Sequence, residues 1–88
     1  MKIIFTESFQ HDYLRLNSDI QKFADKALKF LQTSPRHPSL RIKKIPGTAI
    51  WYGRVSRTYR FTFQMEGEVI TLRQVGTHRI LNAERRRQ

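Results

Sequence analysis

Between Tyr59 and Met65 the chain alternates strictly: Tyr59, Phe61, Phe63 and Met65 fall on one side, Arg60, Thr62 and Gln64 on the other. This period of two predicts a half-buried β-strand with an apolar face and a polar face. The surrounding stretch, Ala49 to His78, holds two further runs rich in β-branched and aromatic residues, Ile50 to Ser56 and Val69 to His78. Turn residues at Arg57-Thr58 and Glu66-Gly67-Glu68 separate the runs, so three consecutive antiparallel strands are expected.

The N-terminal part reads differently. Lys2 to Phe5 predicts a short strand, and its successive Ile3, Ile4 and Phe5 place it inside the sheet. Thr6 is a good N-cap with Glu7 in the first turn, and Phe9, Tyr13 and Leu16 then recur at helical spacing as far as Asn17. Ser18 with Gln21 forms a capping-box pattern. Ile20, Phe23, Ala24, Ala27, Leu28 and Leu31 trace one apolar stripe, expected to be core throughout, opposite a solvated face of Gln21, Lys22, Asp25, Lys26 and Lys29. So tight a connection makes a helical hairpin whose stripes need a sheet to cover.

From Thr33 to Gly47, Pro35, Pro38 and Pro46 exclude a helix and leave a loop with one extended piece. After His78 the segment RILNAERRRQ is too short and too charged for a core element. Residues 1–81 are therefore expected to form a single domain and residues 82–88 a basic tail. The expected class is α+β, in the order β-α-α-β-β-β, with a helical hairpin packed on a small curved, mainly antiparallel sheet.

Composition narrows the chemistry. With no cysteine there is no disulfide, thiol nucleophile or thiolate metal site. The opening KIIFT is too short for a signal peptide, and no run approaches the roughly 20 apolar residues of a membrane span, so a soluble cytoplasmic protein without a membrane partner is expected. There is no CxxC, HExxH or glycine-rich phosphate loop. His11, His37 and His78 lie in different elements without carboxylates at ligand spacing, so neither a metal nor another cofactor is expected. Glu66, Glu68 and Glu84 sit in turns or the tail, which gives paired-carboxylate catalysis no footing.

The net charge of +10 is uneven: residues 1–34 carry +1 and residues 35–88 carry +9. Charge concentrated on the sheet and its entry loop suits a polyanion, whether nucleic acid or an acidic protein. Antiparallel pairing can bring Arg54, Arg60 and His78 together across three strands. A phosphodiester reaction needs cations for the phosphorane charge, which guanidinium forks supply, and proton-transfer groups, for which an imidazole is suited. Each also has a plain structural reading: Arg54 and Arg60 as solvent-facing sheet residues, His78 as a rim histidine, Lys43 and Lys44 as a solvated pair, and Trp51 and Tyr52 as packing.

Taken together, the helical hairpin, the loop ending in KKIPG, then WYGRV, YRFTF and a closing VGTH resemble the RelE/ParE superfamily of toxins from type II toxin–antitoxin pairs. The resemblance spans Lys2 to about Leu81 and rests most on Arg54-Val55, Tyr59-Arg60 and Gly76-Thr77-His78, the last similar to the YafQ-like ending. It implies a ribosome-dependent mRNA endonuclease that works without a metal, the 2′-hydroxyl attacking the neighbouring phosphate. By position Arg60 would stabilise phosphate charge, His78 would act as acid or base, and Arg54 would orient the phosphate. Lys43, Lys44 or His37 would supply the remaining proton transfer or electrostatic help, with Lys44 the catalytic choice. Lys43, Arg41, His37, Arg57, Arg73, Arg79 and Tyr52 would contact RNA.

The departures are specific. Ile50 and Tyr52 occupy places where RelE itself has two lysines, and Asn82 stands where many members carry an aromatic, so the histidine-containing variant of the mechanism is expected. The implied partners are an acidic antitoxin, the ribosome and mRNA, with operator DNA bound only through the antitoxin complex. ParE-like poisons of gyrase share the fold without the nuclease residues, and a non-toxic antitoxin- or nucleic-acid-binding module would share the charge.

Overall fold

Two short polar side chains start the N-terminal helices. The Thr6 hydroxyl accepts the Phe9 N–H at 3.2 Å and opens α1, Glu7–Arg15. Asn17 Oδ1 accepts the Ile20 N–H at 3.0 Å and opens α2, Ser18–Thr33. The capping box expected at Ser18 does not form, because Asn17 is the cap one residue earlier. The Gln21 side chain is used between helices instead, donating to the Tyr13 carbonyl at 3.0 Å. A second tie beside it runs from the Tyr13 hydroxyl to Asp25 Oδ1 at 2.6 Å.

The computed structural model describes residues 1–86. Its strands are β1 (Lys2–Phe5), β2 (Lys43–Lys44), β3 (Trp51–Arg54), β4 (Tyr59–Glu66) and β5 (Val69–Thr77), in the sheet order β1-β5-β4-β3-β2. All neighbours are antiparallel except β1 and β5. The α+β class and helical hairpin are as expected, with three additions: β2, a single 3-10 turn at Pro38–Leu40 before it, and a C-terminal helix α3, Arg79–Arg86. β1 lies at the edge rather than inside. Its only partner is β5, whose other side β4 occupies, and Ile4 and Phe5 remain 40% and 47% exposed.

The core forms where the hairpin covers one sheet face. Phe9 of α1 and Ala27 and Leu31 of α2 meet Phe61, Phe63, Ile70, Leu72 and Val75, closed at one end by Leu40 from the 3-10 turn. Each large side chain in this cluster contributes roughly 1.5–3 kcal/mol by leaving water. Gly53 lies opposite Phe61, and a Cβ there would fall 2.4 Å from Phe61 Cζ, so the ring lies against the backbone of β3. Phe23 departs from the expected stripe: at 51% exposure it is not core.

Strand β5 carries a bulge. Thr62 pairs with Gln74 but Phe63 pairs with Leu72, which leaves Arg73 as the extra residue. The bulge turns both Leu72 and Val75 into the core, while Thr6 and Asp12 supply hydrogen bonds to β5 where β1 ends. The Leu72 carbonyl accepts the Thr6 hydroxyl at 2.7 Å and the Thr6 N–H at 3.3 Å, while the Val75 N–H donates to Asp12 Oδ2 at 3.2 Å.

The segment expected to be a tail is instead mostly α3, docked on the sheet face away from the hairpin. Glu84 is fully buried and accepts from Arg73 Nε at 2.7 Å and Nη2 at 3.2 Å, while Arg73 Nη1 donates to Gln64 Oε1 at 2.8 Å. Gly76 gives the helix its seat, since a Cβ there would come within 3.1 Å of Ile80 Cγ2. One buried acid gives the basic segment an anchor that its composition concealed. The end of the expected tail, Arg87 and Gln88, lies outside the described residues.

Two outcomes follow from these contacts. Glu84→Ala strands the Arg73 guanidinium; because that side chain keeps 25% of its surface in solvent, the loss expected in urea denaturation is about 1–3 kcal/mol, below the full cost of breaking a buried pair. The bond to Asp25, then desolvation, raises the Tyr13 pKa above its ordinary 10.0. A raised pKa means that this contribution is fully present below pH 10 and is lost as pH rises through the folded value. Stability of the parent should therefore decline more steeply above pH 10 than that of Tyr13→Phe, measured by denaturation across the alkaline range.

Candidate nucleic-acid interface

The cross-strand register decides which cations share a face. Arg54 of β3 pairs with Arg60 of β4, and Arg60 pairs with Gly76 of β5, so the three form one row across the sheet. By the same alternation Tyr52 and its β2 partner Lys43 lie on this face. It is opposite to the face of Phe61 and Phe63, which the hairpin covers.

Arg60 is held by its own hairpin. Its Nη1 donates to the carbonyls of Ser56 at 2.7 Å, Tyr59 at 2.9 Å and Arg57 at 3.3 Å. Among the described residues, Nε and Nη2 make no further hydrogen bond and are available to an anion. Burial, then the nearby Arg54 guanidinium, and more weakly Arg41, push the Arg60 pKa below the usual arginine value against an opposing effect of Tyr52. The group remains charged at neutral pH. Burial is the larger cause of the lowered value, and the two positive neighbours add to it.

Arg41 reaches this cluster from the end of the 3-10 turn, in the left-handed region at φ 45°, the only non-glycine residue with positive φ among those described. His37 opens the same turn. Its Nδ1 accepts the Ser39 N–H at 3.2 Å, which leaves the proton of the neutral ring on Nε2, and its ring stacks on Phe30. A cavity of about 690 Å³ is lined by Arg41 and Arg54 together with His37, Phe30, Phe23 and Lys26.

His78 follows β5 directly, exposed at the junction with α3, two residues beyond the Gly76 of the cationic row. Arg79 is exposed in the first turn of α3, and Arg57 is exposed in the β3–β4 turn. Two expected site residues fall elsewhere. Lys44 pairs with Trp51 and so alternates onto the hairpin side, its Nζ 5.9 Å from the Trp51 ring centroid. Arg73 is committed to Glu84 and Gln64. The reasons are strand parity for the first and the bulge for the second. Among the described residues, no group of three or more His, Cys, Asp or Glu could hold a metal ion, and no helix is long and apolar enough to cross a membrane.

Neither a family model nor a curated protein sequence matches the chain. Solved structures do. The DinJ-YafQ toxin–antitoxin complex of E. coli aligns at a TM-score of 0.75 and 13% identity, covering 91% of this chain and 94% of that one. The RelB-RelE antitoxin–toxin complex of Methanococcus jannaschii aligns at 0.74 and 23% identity, covering 92% and 96%. A YoeB/ParE toxin from Agrobacterium tumefaciens aligns at 0.74 and 19% identity, covering 89% and 99%. The chain has the RelE/ParE toxin fold.

Within this RelE/ParE fold, sequence reading missed the aromatic wall of the cavity. Phe23 and Phe30 lie roughly 70° and 90° from the centre of the α2 stripe, at 100° per residue. That marginal position was the available signal that they border the core rather than fill it. The repulsion within the cationic row also has a measurable consequence. Arg54→Gln removes a like charge from beside Arg60 and is expected to raise stability by less than about 1 kcal/mol, seen as a Tm gain of a few degrees.

Proposed function

We propose that this protein is the toxin of a type II toxin–antitoxin pair and cleaves mRNA in the ribosomal A site. The observation that carries the reading is the Arg54–Arg60 row, with one guanidinium fixed through Nη1 and two donor nitrogens left for phosphate. In the reaction the 2′-hydroxyl oxygen bonds to the adjacent phosphorus and gives its proton to a base. The bond to the 5′-oxygen breaks, and that oxygen takes a proton from an acid. The products are a 2′,3′-cyclic phosphate and a 5′-hydroxyl end, so no metal or external oxidant enters.

Arg60 and Arg54 stabilise the charge that accumulates on the phosphorane oxygens, where fixed donors act most strongly. His78 serves as one proton-transfer group, as acid or as base. The other role falls to His37, whose neutral ring carries its proton on Nε2 and which lines the same cavity as Arg41 and Arg54, or to Lys43 on the cationic face. Both suit it better than Lys44, which the register turns away. An acidic antitoxin is the natural partner of a face this cationic, and three of the solved neighbours are themselves toxin–antitoxin complexes. Operator DNA is then bound through the joint complex, and the site of action is the cytoplasm.

Expression without the antitoxin, with mapping of mRNA 5′ ends, tests this. The parent should arrest growth and leave new 5′ ends inside codons. His78→Ala, at an exposed position, should fold normally and lose about 10²–10⁴-fold in cleavage. Arg54→Gln should lose cleavage while gaining stability. Cleavage undiminished in both variants would overturn the site. Growth arrest with a DNA-damage response and no new 5′ ends would point to gyrase instead.

A further inference from the structure

The cavity that Arg54 of the cationic row helps to line has aromatic side chains in its wall as well. Phe23 leaves 51% of its surface in solvent, although Ala24, Ala27 and Leu31 beside it are buried. Phe30 and His37 stack with centroids 4.0 Å apart and planes 11° from parallel, and Lys26 Nζ stands 6.0 Å from the Phe30 centroid. Arg41 and Arg54 line the same cavity. Exposed flat apolar surface set between cations has a definite complement: a nucleobase together with its phosphate.

We propose that this cavity binds one nucleotide of single-stranded RNA, its base on Phe23 and the Phe30–His37 wall and its phosphate on Arg41 and Arg54. The identity of the strand rests on the nuclease reading, which this subsite extends by one nucleotide through the shared Arg54. Two observations favour RNA over an acidic peptide. Carboxylates would satisfy the cations but leave the exposed ring without use. No aromatic follows Phe63 in the chain, and Trp51 does not line the cavity, so the phenyl rings that share it with Arg54 come from α2. The left-handed Arg41 agrees with this placement: a position where glycine is easier carries an arginine at a backbone cost.

The test uses the full chain carrying His78→Ala, so that it can be purified without cleavage, and a fluorescein-labelled single-stranded RNA of about 12 nucleotides. Fluorescence anisotropy should show Phe23→Ala weakening binding at least about fivefold, the lower end for loss of a stacked base, while Phe23→Trp retains it. Arg41→Gly should weaken binding and flatten its salt dependence, with thermal stability equal or higher. Leu14→Ala, at a 73% exposed position on α1, should change nothing. Unchanged binding by Phe23→Ala, equal affinity for the same oligomer with abasic sugars, or equal competition by polyglutamate would each overturn the proposal. Because binding is read without ribosomes or cleavage, the two readings fail separately. RNA binding that depends on Phe23 in a chain that never cleaves would sink the nuclease and keep the subsite, and a cleaving chain indifferent to Phe23 would do the reverse.

Discussion

The extra residue at Arg73 sets the phase of the last strand, and the site depends on that phase. Strict alternation from Ile70 and Leu72 would carry Gly76 onto the hairpin side. The bulge reverses this, so that Leu72 and Val75 are both core and Gly76 joins Arg54 and Arg60 on the opposite face. The displaced arginine then becomes the anchor of α3 through Glu84. Thr6 and Asp12 complete the arrangement by bonding the Leu72 carbonyl and the Val75 N–H where β1 ends. Core packing, helix docking and the cationic row are thus three results of one inserted residue.

Gathering cations has a cost that the rest of the fold bears. Burial and like-charged neighbours both disfavour the charged form of Arg60. Three carbonyls of its own turn offset this, and they also fix the guanidinium, so an arriving phosphate would meet donors already in place. The same region holds the left-handed Arg41. Local conflicts of this kind collect where a surface is shaped for a ligand rather than for stability alone.

Much of this was legible in the residues, and each failure has a cause. The alternation of Tyr59 to Met65 gave the strand, its buried face and, by pairing, the Arg54–Arg60 row. Thr6 gave the first cap correctly, but Ser18 was displaced because Asn17 offers an equivalent oxygen one residue earlier. An apolar run placed β1 inside, yet apolarity cannot say how many neighbours a strand has. The tail looked too short and too charged for a core element because its charges were read as solvated, whereas Glu84 is buried and pairs with Arg73, 11 residues away. The bulge left a trace, since Ile70 and Leu72 are two apart while the next core residue, Val75, is three further on. Lys44 was misplaced for a simpler reason: in a two-residue strand, parity alone decides which lysine meets the cationic face.

The first strand pairs with the last, Lys2 opposite Val69 and Phe5 opposite Leu72. During synthesis β1 therefore has no strand to join until residues 69–72 have been made. The hairpin helices likewise lack most of the sheet surface they cover, because Ile70, Leu72 and Val75 all arrive late. Nor does the row of arginines acquire its third position before Gly76 is in register. A nascent copy that lacks β5 is consequently an incomplete one, and the cationic surface matures only once that strand has paired.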